Sequence, residues 1–117
     1  MGIPRANRLR RNSDFGRVRS SGRSWVNRWL VLGVLANDLG RVRVGIAVSR
    51  RVGGAVTRVR VRRLIREAVR SRLSGISGGW DLVFVARASL VEASFWELDQ
   101  AVAQLLRQAR LLSEPER

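Results

Sequence analysis

The stretch Ser49–Arg72, SRRVGGAVTRVRVRRLIREAVRSR, constrains this chain more than any other. Two arginines lead through Gly53-Gly54 into a segment with helical periodicity. That segment carries Arg58, Arg60, Arg62, Arg63, Arg66, Arg70 and Arg72 against a single acid, Glu67. At 100° per residue, Val61, Leu64, Ile65 and Ala68 gather on one side of the wheel. Arg62, Arg63, Arg66 and Arg70 gather on the other, with Arg58 and Arg60 at the flanks. A helix that merely solvates a surface mixes signs to gain i,i+4 pairs. One carboxylate cannot balance seven guanidinium groups, and such a concentration of like charge repels itself unless a polyanion supplies the counter-charge. The segment predicts an amphipathic helix with one face for a core and one for nucleic acid.

The rest of the composition agrees. A chain of 117 residues supports one domain, 1–117, with a modest core. A hydrophobic content of 45% argues against disorder, and a net charge of +14 exceeds what solubility requires. All 23 basic side chains are arginine, which binds phosphate through a planar fork and stacks on bases. No apolar run approaches the ~18 residues of a membrane span, and the N-terminus lacks the apolar region of a secretory signal. With no cysteine there is no disulfide framework, and a cytoplasmic protein is expected.

Residues 1–11 hold Pro4 and four arginines without periodicity, and read as a poorly ordered basic arm whose Arg8, Arg10 and Arg11 are candidate phosphate contacts. Asn12 or Ser13 is a candidate cap for a short helix with Asp14 in its first turn and Phe15 and Val18 facing inward. Residues 24–35 read as one strand, either buried on both faces or bulged at Gly33. A turn at Asn37–Gly40 leads to a second strand, 41–48, with Arg41 and Arg43 outward. These two strands are expected to pair as an antiparallel hairpin. After a flexible connector at 74–79, the apolar run 80–86 predicts a buried strand of parallel type. Ser94-Phe95-Trp96-Glu97 is a capping box for a last helix with the stripe Leu98, Val102, Leu105, Leu106 and Ala109. Residues 113–117 read as a frayed tail. The order predicts an α/β two-layer sandwich, a small mixed sheet with packed helices.

The chain has few means of doing chemistry itself. With no His and no Cys it lacks the commonest general base and the thiol nucleophile. Asp14, Asp38, Asp81, Glu92, Glu97 and Asp99 are scattered, without the spacing of a two-metal site. The Gly53-Gly54 turn lacks Walker spacing.

The order of residues in Ala55–Glu67 resembles the signature of the bacterial ribonuclease P protein family, Gly-x-Ala-Val-x-Arg-Asn-Arg-x-Lys-Arg-x-x-Arg-Glu. Gly53, Ala55 and Val56 fit the lead-in, and Arg58, Arg60, Arg63, Arg66 and Glu67 match fixed positions. Arg62 replaces the usual Lys, and Val59 stands where the family has Asn. Asn7-Arg8-Leu9, Asp14-Phe15, Gly22, Asn27-Arg28 and Val44-Gly45 also fall on like residues, so the resemblance spans roughly residues 7–110. It implies a ribosomal-protein-like domain with a left-handed βαβ crossover, and the role of small subunit to a catalytic RNA that removes 5′ leaders from precursor tRNA with Mg²⁺. The ion would be held mainly by RNA, and the protein would be monomeric before assembly. The arginines Arg50, Arg51, Arg58, Arg60, Arg62, Arg63, Arg66 and Arg70 would meet the catalytic RNA. A central cleft with Phe15, Arg19, Asn27 and Arg28 would hold the single-stranded leader. Arg19 and Gly33 stand where the family often has aromatics, so this cleft is less aromatic than usual. Ordinary core packing is the other use of the Phe15 ring, and the sequence leaves both open. Two further readings of the residues are a ribosomal or RNA-chaperone protein with no processing role, and a helix-based DNA-binding regulator. The strand predicted before the basic helix speaks against the regulator.

Overall fold

In the computed structural model, which describes residues 2–112, a four-stranded sheet carries two helices on one face and one on the other. The elements are α1 (Asn12–Ser21), β1 (Arg23–Val26), β2 (Leu30–Ala36), β3 (Val42–Ala47), α2 (Ala55–Arg70), β4 (Trp80–Ala86) and α3 (Phe95–Gln108). The strand order is β1-β2-β4-β3. The expected mixed sheet with packed helices is present, and α1 adds a partial third layer. The tail 113–117 lies outside the described residues.

The single strand expected over 24–35 is two. Asn27 breaks it: its Oδ1 accepts from the backbone N–H groups of Trp29 and Leu30, both at 3.0 Å. This side-chain turn folds β1 back antiparallel on β2 without any glycine. Nor do β2 and β3 form a hairpin. β4 lies between them, antiparallel to β2 and parallel to β3. The reason is burial: β4 is buried along almost its whole length on both faces and takes a central position, whereas β3 carries Arg43 and is half-buried at Arg43, Ile46 and Ala47. Gly33 is no bulge, since the β2–β4 register runs unbroken through Gly33 and Val83.

Alternation sorts the side chains into two cores. Leu30, Leu32, Val34, Val42, Val44, Leu82 and Phe84 face α2 and α3, whose Val61, Ile65, Ala68, Val69, Leu98, Val102, Leu105 and Leu106 close over them. On the other face, Leu9, Val18 and Val83 form a small cluster with Phe15, Leu35 and Val85 at its rim. The capping box of α3 is formed as expected, with Glu97 N–H donating to Ser94 Oγ and Ser94 N–H to Glu97 Oε1. α1 is different: neither Asn12 nor Ser13 caps it. Arg11 occupies the cap position with no side-chain hydrogen bond, because the chain turns into the helix directly on leaving the sheet.

The basic arm is also ordered differently from expectation. Leu9 N–H donates to Val44 O at 2.8 Å and Asn7 Nδ2 to Val42 O at 2.7 Å, so the arm runs beside the free edge of β3. Two apolar residues anchor it, one on each side of that edge. Ile3 enters the α2–α3 core and Leu9 the α1 cluster. Residues of one segment that plug two cores have no helical or strand period, which is why no pattern announced them. The packed arm also covers an edge that would otherwise be open to pairing.

Candidate nucleic-acid interface

Helix α2 carries its arginines at a phase the wheel misplaced. Val69 is fully buried beside Val61, Ile65 and Ala68, which turns the buried arc toward the arginines. Arg58, Arg62, Arg66 and Arg70, four residues apart, therefore form a half-buried ridge along the flank of the helix rather than its outer pole. The outer pole holds Arg60, Arg63, Val56 and Val59, the last 59% exposed. Arg50 and Arg51 stand exposed in the turn before the helix, closed by Val52 N–H to Ser49 O.

The ridge faces the arm. Arg62 and Arg66 from α2, and Arg8 and Arg10 from the arm, line one groove of about 340 Å³ at the β3 edge, with Val44 in its floor and Phe15 at its end. Residues more than fifty positions apart in sequence thus present four guanidinium groups to one channel. Arg11 belongs to a neighbouring basin of about 910 Å³ together with Arg5, Arg17, Arg41 and Arg43. None of these last four was singled out from the sequence. The alternation of Arg41 and Arg43 in a strand was the one available signal.

Phe15 presses the tip of its ring against the backbone of β3 at Gly45. A Cβ at Gly45 would come within 3.0 Å of the ring atoms Cζ, Cε2 and Cε1. Glycine is required there by close approach, not by its dihedral freedom. The ring is half-buried, so it both packs and remains open on one side. Beyond it the sheet face continues uncovered through half-buried Ala47, Val85 and Val31 to exposed Val26. Arg19 is exposed one turn further along α1.

Asn27 and Arg28 do not share this cleft. Asn27 Nδ2 donates to Ala101 O at 3.1 Å and Gln104 Oε1 at 3.0 Å, tying the β1–β2 turn to α3 on the other side of the sheet. Arg28 stacks over the Trp29 ring at 4.5 Å from its centroid. The family resemblance groups them with Phe15; the hairpin at Asn27 sends them elsewhere.

Beneath the basin lies a charge network that the sequence hid. Asp81, on central strand β4, is completely buried. Arg43 grips it with two bonds, Nε to Oδ1 at 2.9 Å and Nη2 to Oδ2 at 2.8 Å, and Asn37 Nδ2 donates to Oδ1 at 2.8 Å. Arg17 approaches at 3.6 Å and also pairs with Asp14 at 3.2 Å. Burial pushes the Asp81 carboxyl up, but hydrogen bonds from Arg43 and Asn37 and the charges of Arg43 and Arg17 outweigh it, so the net direction is down. At the far end of α2, Arg72 holds Asp99 of α3 by two bonds of 2.7 and 3.0 Å, and this hydrogen-bonded pair lowers Asp99 as well. Among the described residues no three acidic side chains are arranged to hold a metal, and the two carboxylates that do approach, Asp14 and Asp81, are occupied by arginines. The described residues therefore do not fit a Mg²⁺ site. No helix among them is long and apolar enough to cross a membrane.

Comparison with known proteins returns one answer. The family model described as Ribonuclease P matches residues 3–110. The chain is 47% identical to a ribonuclease P protein component of Chloroflexus aurantiacus over 95% of its own length and 83% of the relative's. It is 43% identical to that of Clostridioides difficile, covering 92% and 95%. Among solved structures it resembles the Staphylococcus aureus RNase P protein with a TM-score of 0.86 at 29% identity, covering 93% of this chain and 100% of that one. It resembles the Thermotoga maritima RNase P protein with a TM-score of 0.79 at 31% identity, covering 86% and 96%.

Proposed function

The chain belongs to the ribonuclease P protein family, and we propose on that premise how its surfaces divide the work of a ribonucleoprotein that matures tRNA 5′ ends. It is the protein subunit and associates with the ribonuclease P RNA. The observation that carries the division is the convergence of Arg8, Arg10, Arg62 and Arg66 on one groove at the β3 edge. Phosphates of the catalytic RNA run along this groove and over the outer pole of α2, where Arg60 and Arg63 stand with Arg50 and Arg51 before them. The single-stranded leader of precursor tRNA lies across the open sheet face next to Phe15, stacking a base on its free side, with Arg19 beside the path. Asn27 and Arg28 take no part in that path.

Bond cleavage belongs to the RNA. This chain has no His or Cys, and its clustered carboxylates are neutralised by arginine, so the Mg²⁺ ions that the reaction uses are held by RNA and substrate. The protein's contribution is electrostatic and positional: it lowers the repulsion between two polyanions and fixes the leader. We place it in the cytoplasm, monomeric before assembly. A ribosomal or chaperone-type role is not favoured by the family match. A helix-turn-helix regulator is disfavoured because β3 and an exposed turn precede α2.

Salt dependence tests the phosphate contacts. Neutralising about five phosphates gives a slope of log K against log salt of roughly −3.5 to −4.5. Arg62→Ala and Arg66→Ala should each reduce that slope by about one unit while leaving the fold intact. A near-flat dependence would remove the arginines from the interface.

A further inference from the structure

Three of the four tryptophans have a use inside the fold. Trp29 is buried, Trp80 donates its indole N–H to Ser77 O, and Trp25 packs on the core beneath Arg23. Trp96 has none. It is 70% exposed and its indole makes no hydrogen bond among the described residues. It stands in the first turn of α3, where the capping box of Ser94 and Glu97 fixes the backbone that carries it. A large indole left in water loses the stabilisation its burial would give, and an exposed aromatic platform of this kind suits stacking.

The surroundings say what would stack. Trp96 forms one wall of a cleft of about 370 Å³ whose other wall is Arg28, already stacked on Trp29. Gln100, Gln104 and Arg107 line it along α3. Gln104 uses its carbonyl oxygen on Asn27, which leaves its amide N–H groups free to donate. Glu97, the only acid in the lining, is engaged in the capping box. An aromatic face, a stacked guanidinium, a second arginine and side-chain amides are the recognition set for an unpaired nucleotide: ring for base, amides for base edge, arginines for phosphate. An apolar protein partner would be poorly matched by this ring of cations and amides.

We propose that the cleft between Trp96 and Arg28 is a second site for single-stranded RNA, separate from the groove at β3. The two lie toward opposite edges of the sheet, since the β1–β2 turn carrying Arg28 flanks one edge and β3 forms the other. One nucleotide cannot occupy both. This goes beyond the assigned role, which needs only the groove and the Phe15 face.

The test uses the full chain and a short single-stranded RNA containing 4-thiouridine. Irradiation and mass spectrometry should place a crosslink on Trp96 or its immediate neighbours. Trp96→Ala should abolish that crosslink and weaken oligonucleotide binding about five- to hundredfold at that site, the range for one lost base stack. Trp96→Phe should retain most of the binding, and Arg28→Ala should reduce the salt slope. Arg62→Ala serves as the comparison, because it weakens the groove alone. If Arg62→Ala loses affinity while Trp96→Ala binds as the parent does, the second site is refuted and the groove stands. A Trp96→Ala effect confined to self-association in sedimentation would equally refute it, marking the ring as a protein contact.

Discussion

Removing Arg43 should expose how the α1 side of the sheet is held together. The Asp81 carboxylate has no solvent contact, and Arg43 supplies two of its three close hydrogen bonds. Arg43→Ala leaves a buried charge with only Asn37 and a more distant Arg17. Breaking a buried pair from one side costs about 3–5 kcal/mol, and the two remaining partners place the expected loss near the low end, about 3 kcal/mol. That is a large share of the ~5–15 kcal/mol available to a domain, equivalent to about 10 °C in Tm. The pH dependence has a definite sign. In the parent chain the lowered Asp81 contributes stability above the unfolded carboxyl value of about 3.9, lost as pH falls through the folded value. In Arg43→Ala, burial dominates and the carboxyl moves up, so acid relieves the variant while it weakens the parent. The gap between them should be full at pH 7, should begin to narrow as pH falls through the variant's raised carboxyl value, above about 4, and should go on narrowing until the parent's lowered carboxyl is itself protonated. Urea denaturation followed by tryptophan fluorescence at several pH values measures this. Arg43→Ala with Asp81→Asn should be more stable than Arg43→Ala alone, because the orphaned charge is gone. A single-variant cost under about 1 kcal/mol, or a double variant worse than the single, would refute the reasoning.

Two further outcomes follow from the interface. Val59→Asn, which restores the family's residue at an exposed position, should change stability by only a few tenths of a kcal/mol and tighten ribonuclease P RNA binding by about 0.5–1.5 kcal/mol, as measured by denaturation and RNA titration. Gly45→Ala should push the Phe15 ring off β3; overpacking of this kind costs about 1–3 kcal/mol, and affinity for a leader-bearing substrate should fall relative to a leaderless one.

The parts of the fold written in one local pattern were legible. The periodicity of α2, the capping box of α3 and the apolar run of β4 each announce their element within a few residues. What failed depended on distant partners, with one local exception. Asn27 turns the chain through its own side chain, a signal easily lost inside a run of Trp, Val and Leu. The insertion of β4 between β2 and β3 is decided by burial on both faces, not by adjacency in sequence. The site divides the same way. The charge and order of the α2 arginines marked the helix as the candidate interface, but the burial of Val69 set the phase of its basic face. The grouping of Arg8 and Arg10 with Arg62 and Arg66 depends on Ile3 and Leu9 pinning the arm across the β3 edge. The Asp14–Arg17–Arg43–Asp81 network joins three elements and leaves no trace in spacing.

Cleavage of precursor tRNA is the most direct measurement of the central claim. The purified chain, a bacterial ribonuclease P RNA and a leader-bearing precursor tRNA are combined at a Mg²⁺ concentration too low for the RNA to act efficiently alone. The chain should strongly stimulate cleavage at the 5′ end of the mature tRNA, and should cleave nothing when the RNA is omitted. Absence of stimulation, or specific 5′ cleavage that follows the protein through purification without the RNA, would contradict the account.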